Sequence, residues 1–124
     1  MAGRPAISYF TLTGSDLKYA WSTAVDGSGG WSSLIVDAPG VAGGYASLAV
    51  VNGKPAISYY DFNNFDLKYA FSSVADGSGG WNMATLDAPG NVGEYSSLAV
   101  VNGKPAISYR DATNSSLKYA VLYE

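Results

Sequence analysis

Residues 53–102 read GKPAISYYDFNNFDLKYAFSSVADGSGGWNMATLDAPGNVGEYSSLAVVN, and the rest of the chain repeats them. Residues 3–52 are a second copy, and 103–124 carry the opening of a third. A fixed period this long marks a repeat architecture, in which each unit buries its apolar face against a neighbour. The 124 residues read as one repeat domain, too short for two domains of ordinary size.

Each repeat divides into four short strands rich in Val, Ile, Tyr, Phe and Trp, bounded by Gly, Pro, Asn or Asp. The first is expected at 45–51 and 95–101, and the second at 6–10, 56–61 and 106–111. The third is expected at 17–22, 67–72 and 117–122, and the fourth at 31–37 and 81–87. Asn52-Gly53 and Asn102-Gly103 tolerate the positive φ of a tight hairpin between first and second strands. Pro55 and Pro105 are expected to stop the preceding strand. Asp-Gly-Ser-Gly-Gly at 26–30 and 76–80 turns the third strand into the fourth, and Ala-Pro-Gly at 38–40 and 88–90 ends the fourth. In 67–71 one face carries Leu, Tyr and Phe, while 97–101 is small or apolar on both faces, as in a strand covered on both sides. No stretch has a helical period with caps. The chain is all-β.

Composition removes several function classes. Charged residues are 14% of the chain and the net charge is −3, with seven basic residues scattered among the repeats. A nucleic-acid surface needs clustered Lys and Arg, so no nucleic-acid partner is expected. No apolar run approaches membrane-spanning length, so no membrane is expected either. With neither Cys nor His, thiolate and imidazole metal sites and the commonest general base are absent; no metal and no cofactor are expected. The opening residues MAGRPAIS carry no apolar leader run, which leaves the compartment open.

The succession YxSLAV, GKPAISYYD, DLKYA, GGW resembles a family of repetitive microbial β-propellers, over essentially the whole chain. The resemblance implies blades of four antiparallel strands, one per fifty-residue repeat, and about two and a half blades in ten strands. The turn from Asp26 to Trp31 is similar to the Asp-box of sialidase-type propellers, although Ala24 and Val74 stand where that motif has Ser or Thr. The alternative fold is a β-trefoil, but three of its units at this period overrun the chain. A blade implies a frame, not an activity.

In a four-stranded meander the connections 61–66 and 87–95 fall on one face, where the copies differ most. Variation among near-identical copies marks positions that packing does not need, and loops on a rigid frame carry binding. The candidate ligand residues are therefore Tyr60, Asp61, Asn63, Asn64, Glu94, Tyr95, Arg110, Asp111 and Asn114. Asp and Asn hydrogen-bond sugar hydroxyls and Tyr stacks on their apolar faces. Competing structural roles are a turn closure for Asp61, core packing for Tyr59, Tyr69 and Tyr119, and pinning of the outer strand for Trp31 and Trp81. Lys18, Lys68 and Lys118 read as partners of a nearby Asp or as solvated heads.

No catalytic set is expected. The carboxylate pair Asp61 and Glu94 alone invites glycosidase chemistry, and Arg4 and Arg110 are too few for the arginine cluster of a sialidase. Both outer repeats lack polar caps, so the expected partners are other copies of the chain, as a dimer or trimer closed head to tail, and carbohydrate on the loop face. The competing reading is a self-assembling repeat without a ligand.

Overall fold

In a computed structural model, residues 3–38 and 40–123 are described. They form ten strands and no helix: β1 (Ala6–Thr11), β2 (Asp16–Ser22), β3 (Trp31–Asp37), β4 (Ala42–Val51), β5 (Lys54–Asp61), β6 (Asp66–Ser72), β7 (Trp81–Asp87), β8 (Val92–Val101), β9 (Lys104–Asp111) and β10 (Ser116–Val121). Pro39, expected to help end a fourth strand, lies outside the described residues. The chain is all-β, in three antiparallel sheets: β1-β2-β3, β4-β5-β6-β7 and β8-β9-β10.

The turns follow from their residues. Asn52 and Gly53 have φ of 51° and 77°, and Asn102 and Gly103 repeat this at 52° and 74°, the geometry of the tight hairpin that Asn-Gly favours. The Asp26 carboxylate accepts the Ser28 N–H at 3.0 Å, and Asp76 accepts that of Ser78 at 2.9 Å. Buried Ser22 and Ser72 close the same turns by donating to the Gly29 and Gly79 carbonyls. The Trp31 and Trp81 indoles donate to the Gly27 and Gly77 carbonyls, so both tryptophans pin the outer strand to its turn.

Two cores lie between the sheets. Leu17, Tyr19 and Val36 of the first sheet meet Ala42, Ile57 and Tyr59 of the second. Ala56, Leu67 and Tyr69 of the second meet Val92, Leu98, Ile107 and Tyr109 of the third. The middle sheet is thus covered on both faces, which is why β5 is buried from Pro55 to its last residue.

Three expectations need correcting. The strand covered on both sides is β5, while β8 exposes Val100 and Val101, because the third sheet packs against a described sheet on one face only. Tyr119, expected in the core with Tyr59 and Tyr69, is 61% exposed, because no described sheet lies beyond the third; Pro55 lies inside β5 opposite Val50, its ring against Gly77, after β4 has ended at Val51. Residues 42–44 and 92–94, read as loop, belong to β4 and β8, which run on past a bulge. The register shifts between Ala42 and Gly44 and again between Gly44 and Ser47, so Ala42 still pairs with Asp61.

Candidate ligand face

The candidates gather where the β5–β6 and β9–β10 turns meet the bulged starts of β4 and β8. Asp61 and Asp111 are buried and spent on their own turns. Asp61 accepts the Asn63 and Asn64 N–H groups at 2.9 and 3.2 Å and the Asn64 amide at 2.9 Å. Asp111 accepts the Asn114 N–H at 3.1 Å and its amide at 2.8 Å, and these bonds hold its carboxyl below the usual range. Asn63, Asn64 and Asn114 are exposed. The Asn63 amide lies against Gly40, where any Cβ collides with it.

Tyr60 is buried, and its hydroxyl donates to Asn91 Oδ1 at 2.5 Å across to the third sheet. Burial, with Glu94 next in effect, pushes this phenol up. At the same position one repeat on, Arg110 is exposed and pairs with Glu94 at 3.1 Å. This difference is not slack. A Cβ on Gly44 collides with the Phe62 ring, so any side chain at 44 has to displace that ring. In the next repeat, Ala112 replaces Phe62, Glu94 replaces Gly44, and the room is used by an ion pair. The variable positions are coupled packing choices, which corrects the inference that packing has no need of them.

Tyr45 and Tyr95 occupy the bulges with φ of 53° and 56°, a conformation that is uncommon for a bulky residue. Their ring centroids lie 4.4 Å apart, and Tyr45 also packs 6.0 Å from Tyr60 and 6.2 Å from Phe62. The Tyr95 hydroxyl beside it is the main cause of a raised Tyr45 phenol. Both rings keep exposed surface, Tyr95 the more. Next to Tyr95 an open groove of about 380 Å³ is lined by Ser108, Tyr109, Arg110, Ser115 and Leu117 among others. A second recess of about 310 Å³ opens between β6 and β9 around Tyr69 and Lys104. Of the nine candidates, Tyr95 and Arg110 line the groove beside Leu117, Glu94 adjoins it through Arg110, and Tyr60, Asp61 and Asp111 are structural.

The polar links that hold the sheets together bear out an Asp partner for Lys68 and Lys118, but which Asp, and the Tyr that shares it, escaped the reading of the sequence. Asp37 Oδ2 at the end of β3 accepts the Tyr59 hydroxyl at 2.7 Å and Lys68 Nζ at 2.8 Å from the second sheet. Asp87 does the same for Tyr109 and Lys118 of the third, both at 2.7 Å. Burial pushes the Asp87 carboxyl up, but the Lys118 and Tyr109 bonds outweigh it and leave the group below its usual range. Burial and the adjacent carboxylate push the Tyr59 and Tyr109 phenols well up. The signal was available: each Asp recurs at the repeat period, as do its Tyr and Lys. No protein-family model matches the chain, and no curated protein matches it.

Proposed function

We propose that the chain is a non-enzymatic propeller module whose copies associate head to tail into a closed ring. One observation carries this. Tyr19 and Tyr69 are 0% and 2% exposed, and Tyr119 is 61% exposed. On the opposite rim Ile7 is 50% exposed, although Ile57 and Ile107 are fully buried. Tyr119 on one rim and Ile7 on the other hold the places that Tyr19 and Ile57 hold in the contact between the first and second sheets, which favours a similar contact between copies.

The internal contact supplies the template. Trp81 packs 5.2 Å from Tyr19, Gly77 lies against the Tyr19 ring, and the Tyr19 hydroxyl donates to the Asp76 carbonyl at 2.9 Å. Trp31, exposed, and the Asp26-Gly27 turn hold the same places on the first sheet, ready for Tyr119 of another copy. Burying a side chain of this size contributes about 1.5–3 kcal/mol. Ile7, Trp31 and Tyr119 thus contribute toward an association cost of about 4–15 kcal/mol. Two copies with three sheets each supply six, within the usual range of blade numbers. The middle sheet's strands run in sequence order as a meander, which favours a blade over a trefoil unit. Molar mass in solution is the test, and a lone chain is the result that defeats the reading.

The paired rings of Tyr45 and Tyr95 favour a second role, binding of carbohydrate or protein on the loop face. A glycan array with wild type and Tyr95→Ala checks it. Silence across all sugars, with assembly intact, leaves the purely structural role. The carboxylates a glycosidase would need are engaged by Asn63, Asn64 and Arg110, which favours a non-enzymatic role.

A further inference from the structure

The groove beside Tyr95 has two filled counterparts within the chain, and they show what fits it. On the first sheet the segment beginning at Ala42 lies over Leu17. The Ala42 N–H donates to the Ser15 carbonyl at 3.3 Å, and Gly43 sits so close that a Cβ would stand 2.7 Å from Leu17 Cα. On the second sheet Val92 N–H donates to the Phe65 carbonyl at 3.0 Å, and a Cβ on Gly93 would stand 2.8 Å from Leu67 Cα. Both glycines hold nearly the same backbone, with φ of 118° and 116°. On the third sheet Ser115 and Leu117 hold these places, and Ser115 has φ of 52° against 57° for Ser15 and 60° for Phe65. The carbonyl and the leucine are thus presented in the same way, but nothing in the described chain covers Leu117.

We infer that this groove is a peptide-binding site for an extended segment of the form small apolar–Gly–X–Tyr–Ser, supplied in trans. The backbone of the ligand donates to the Ser115 carbonyl, its glycine rests on the Leu117 backbone, and its tyrosine packs at a tilt against Tyr95 as Tyr95 does against Tyr45. Its serine meets Ser108, as Ser96 meets Ser58 at 2.8 Å. Arg110 stands where Tyr60 bonds Asn91, so a residue with a side-chain oxygen fits just before the apolar one. Backbone bonding supplies affinity, and the glycine requirement supplies specificity. The inference does not depend on ring closure: the first sheet has β1, a second-type strand, at its edge, so a neighbouring copy brings no segment of this kind to the groove.

The test is fluorescence polarisation with a labelled peptide of residues 88–98, APGNVGEYSSL, titrated with the intact protein. Saturable binding with a Kd below about 1 mM is expected. The same peptide carrying Gly93→Ala is expected to bind at least about tenfold more weakly, because the collision is with backbone that cannot yield. The protein variant Leu117→Asp, on an exposed side chain and checked for native circular dichroism, is expected to lose binding. Saturable binding that spares neither substitution supports the site. No saturation up to about 1 mM, or equal binding of the Gly and Ala peptides, overturns it.

Discussion

Lys118 reaches from β10 to Asp87 at the end of β7, with Nζ 2.7 Å from Oδ2, and reproduces one repeat later the 2.8 Å contact of Lys68 with Asp37. Each aspartate also accepts a tyrosine hydroxyl, so neighbouring sheets are joined by a charged, three-membered link as well as by apolar packing. Asp37 is buried, which makes its partners energetically significant. A lost partner there leaves an acceptor short of donors and away from water.

Tyr59→Phe therefore removes one of two donors from a buried carboxylate. The expected cost is about 1–3 kcal/mol, read as a lower urea midpoint with an unchanged slope. Tyr9→Phe, at the equivalent position of the first repeat, whose ring is only half-buried, is the control and should change the midpoint little.

Gly93→Ala in the intact chain places a Cβ 2.8 Å from Leu67 Cα at a φ of 116°. Collision and backbone strain act together, so a loss of more than about 1–3 kcal/mol is expected in urea unfolding. Gly53→Ala has φ of 77° but nothing within 4 Å of the new Cβ, so it should cost only the strain, about 1–2 kcal/mol.

The pairing of Gly44 with Phe62, against Glu94 with Ala112, predicts strong coupling. Gly44→Glu alone meets the Phe62 ring and is destabilising, whereas Gly44→Glu with Phe62→Ala recreates the room found in the next repeat. A double-mutant cycle should give a favourable interaction of about 0.5–3 kcal/mol. Simple additivity would contradict the coupling.

Acid should weaken the fold through its turn and link carboxylates. Asp26, Asp76, Asp87 and Asp111 all lie below their usual range, so each adds stability above the unfolded-state value, about 3.9. That contribution is lost as pH falls through the lowered folded values. Asp66, which burial pushes up, acts with the opposite sign and is outnumbered. At the alkaline end Lys118, raised chiefly by its bond to Asp87, adds stability that is lost only as pH rises through its folded value. Urea midpoints should therefore fall below about pH 4, and Asp87→Asn should fall less steeply than wild type.

Much of the fold was legible because the turns are chemically explicit. Asn-Gly, Asp-Gly-Ser-Gly-Gly and Asp61-Phe62-Asn63-Asn64 each specify a reversal, and the strands between them alternate. The starts of β4 and β8 were missed because Gly43-Gly44 and Gly93 read as loop, yet glycine is there to let a bulged strand lie on Leu17 and Leu67. The turns of the loop face were legible, but the exposure of its individual residues was not. Exposure of Tyr95 and burial of Tyr60 depend on which sheet lies opposite, and no local pattern encodes that. An Asp partner was expected for Lys68 and Lys118, but Asp37 and Asp87 were not singled out because they lie 31 residues from those lysines and 22 from Tyr59 and Tyr109, in the repeat before.

Sedimentation equilibrium at micromolar concentration bears most directly on the ring. The account predicts a mass that is a whole multiple, two or greater, of 12.9 kDa, and a shift to 12.9 kDa in Tyr119→Asp, whose side chain is exposed in the lone chain. A wild-type protein that stays at 12.9 kDa would contradict it.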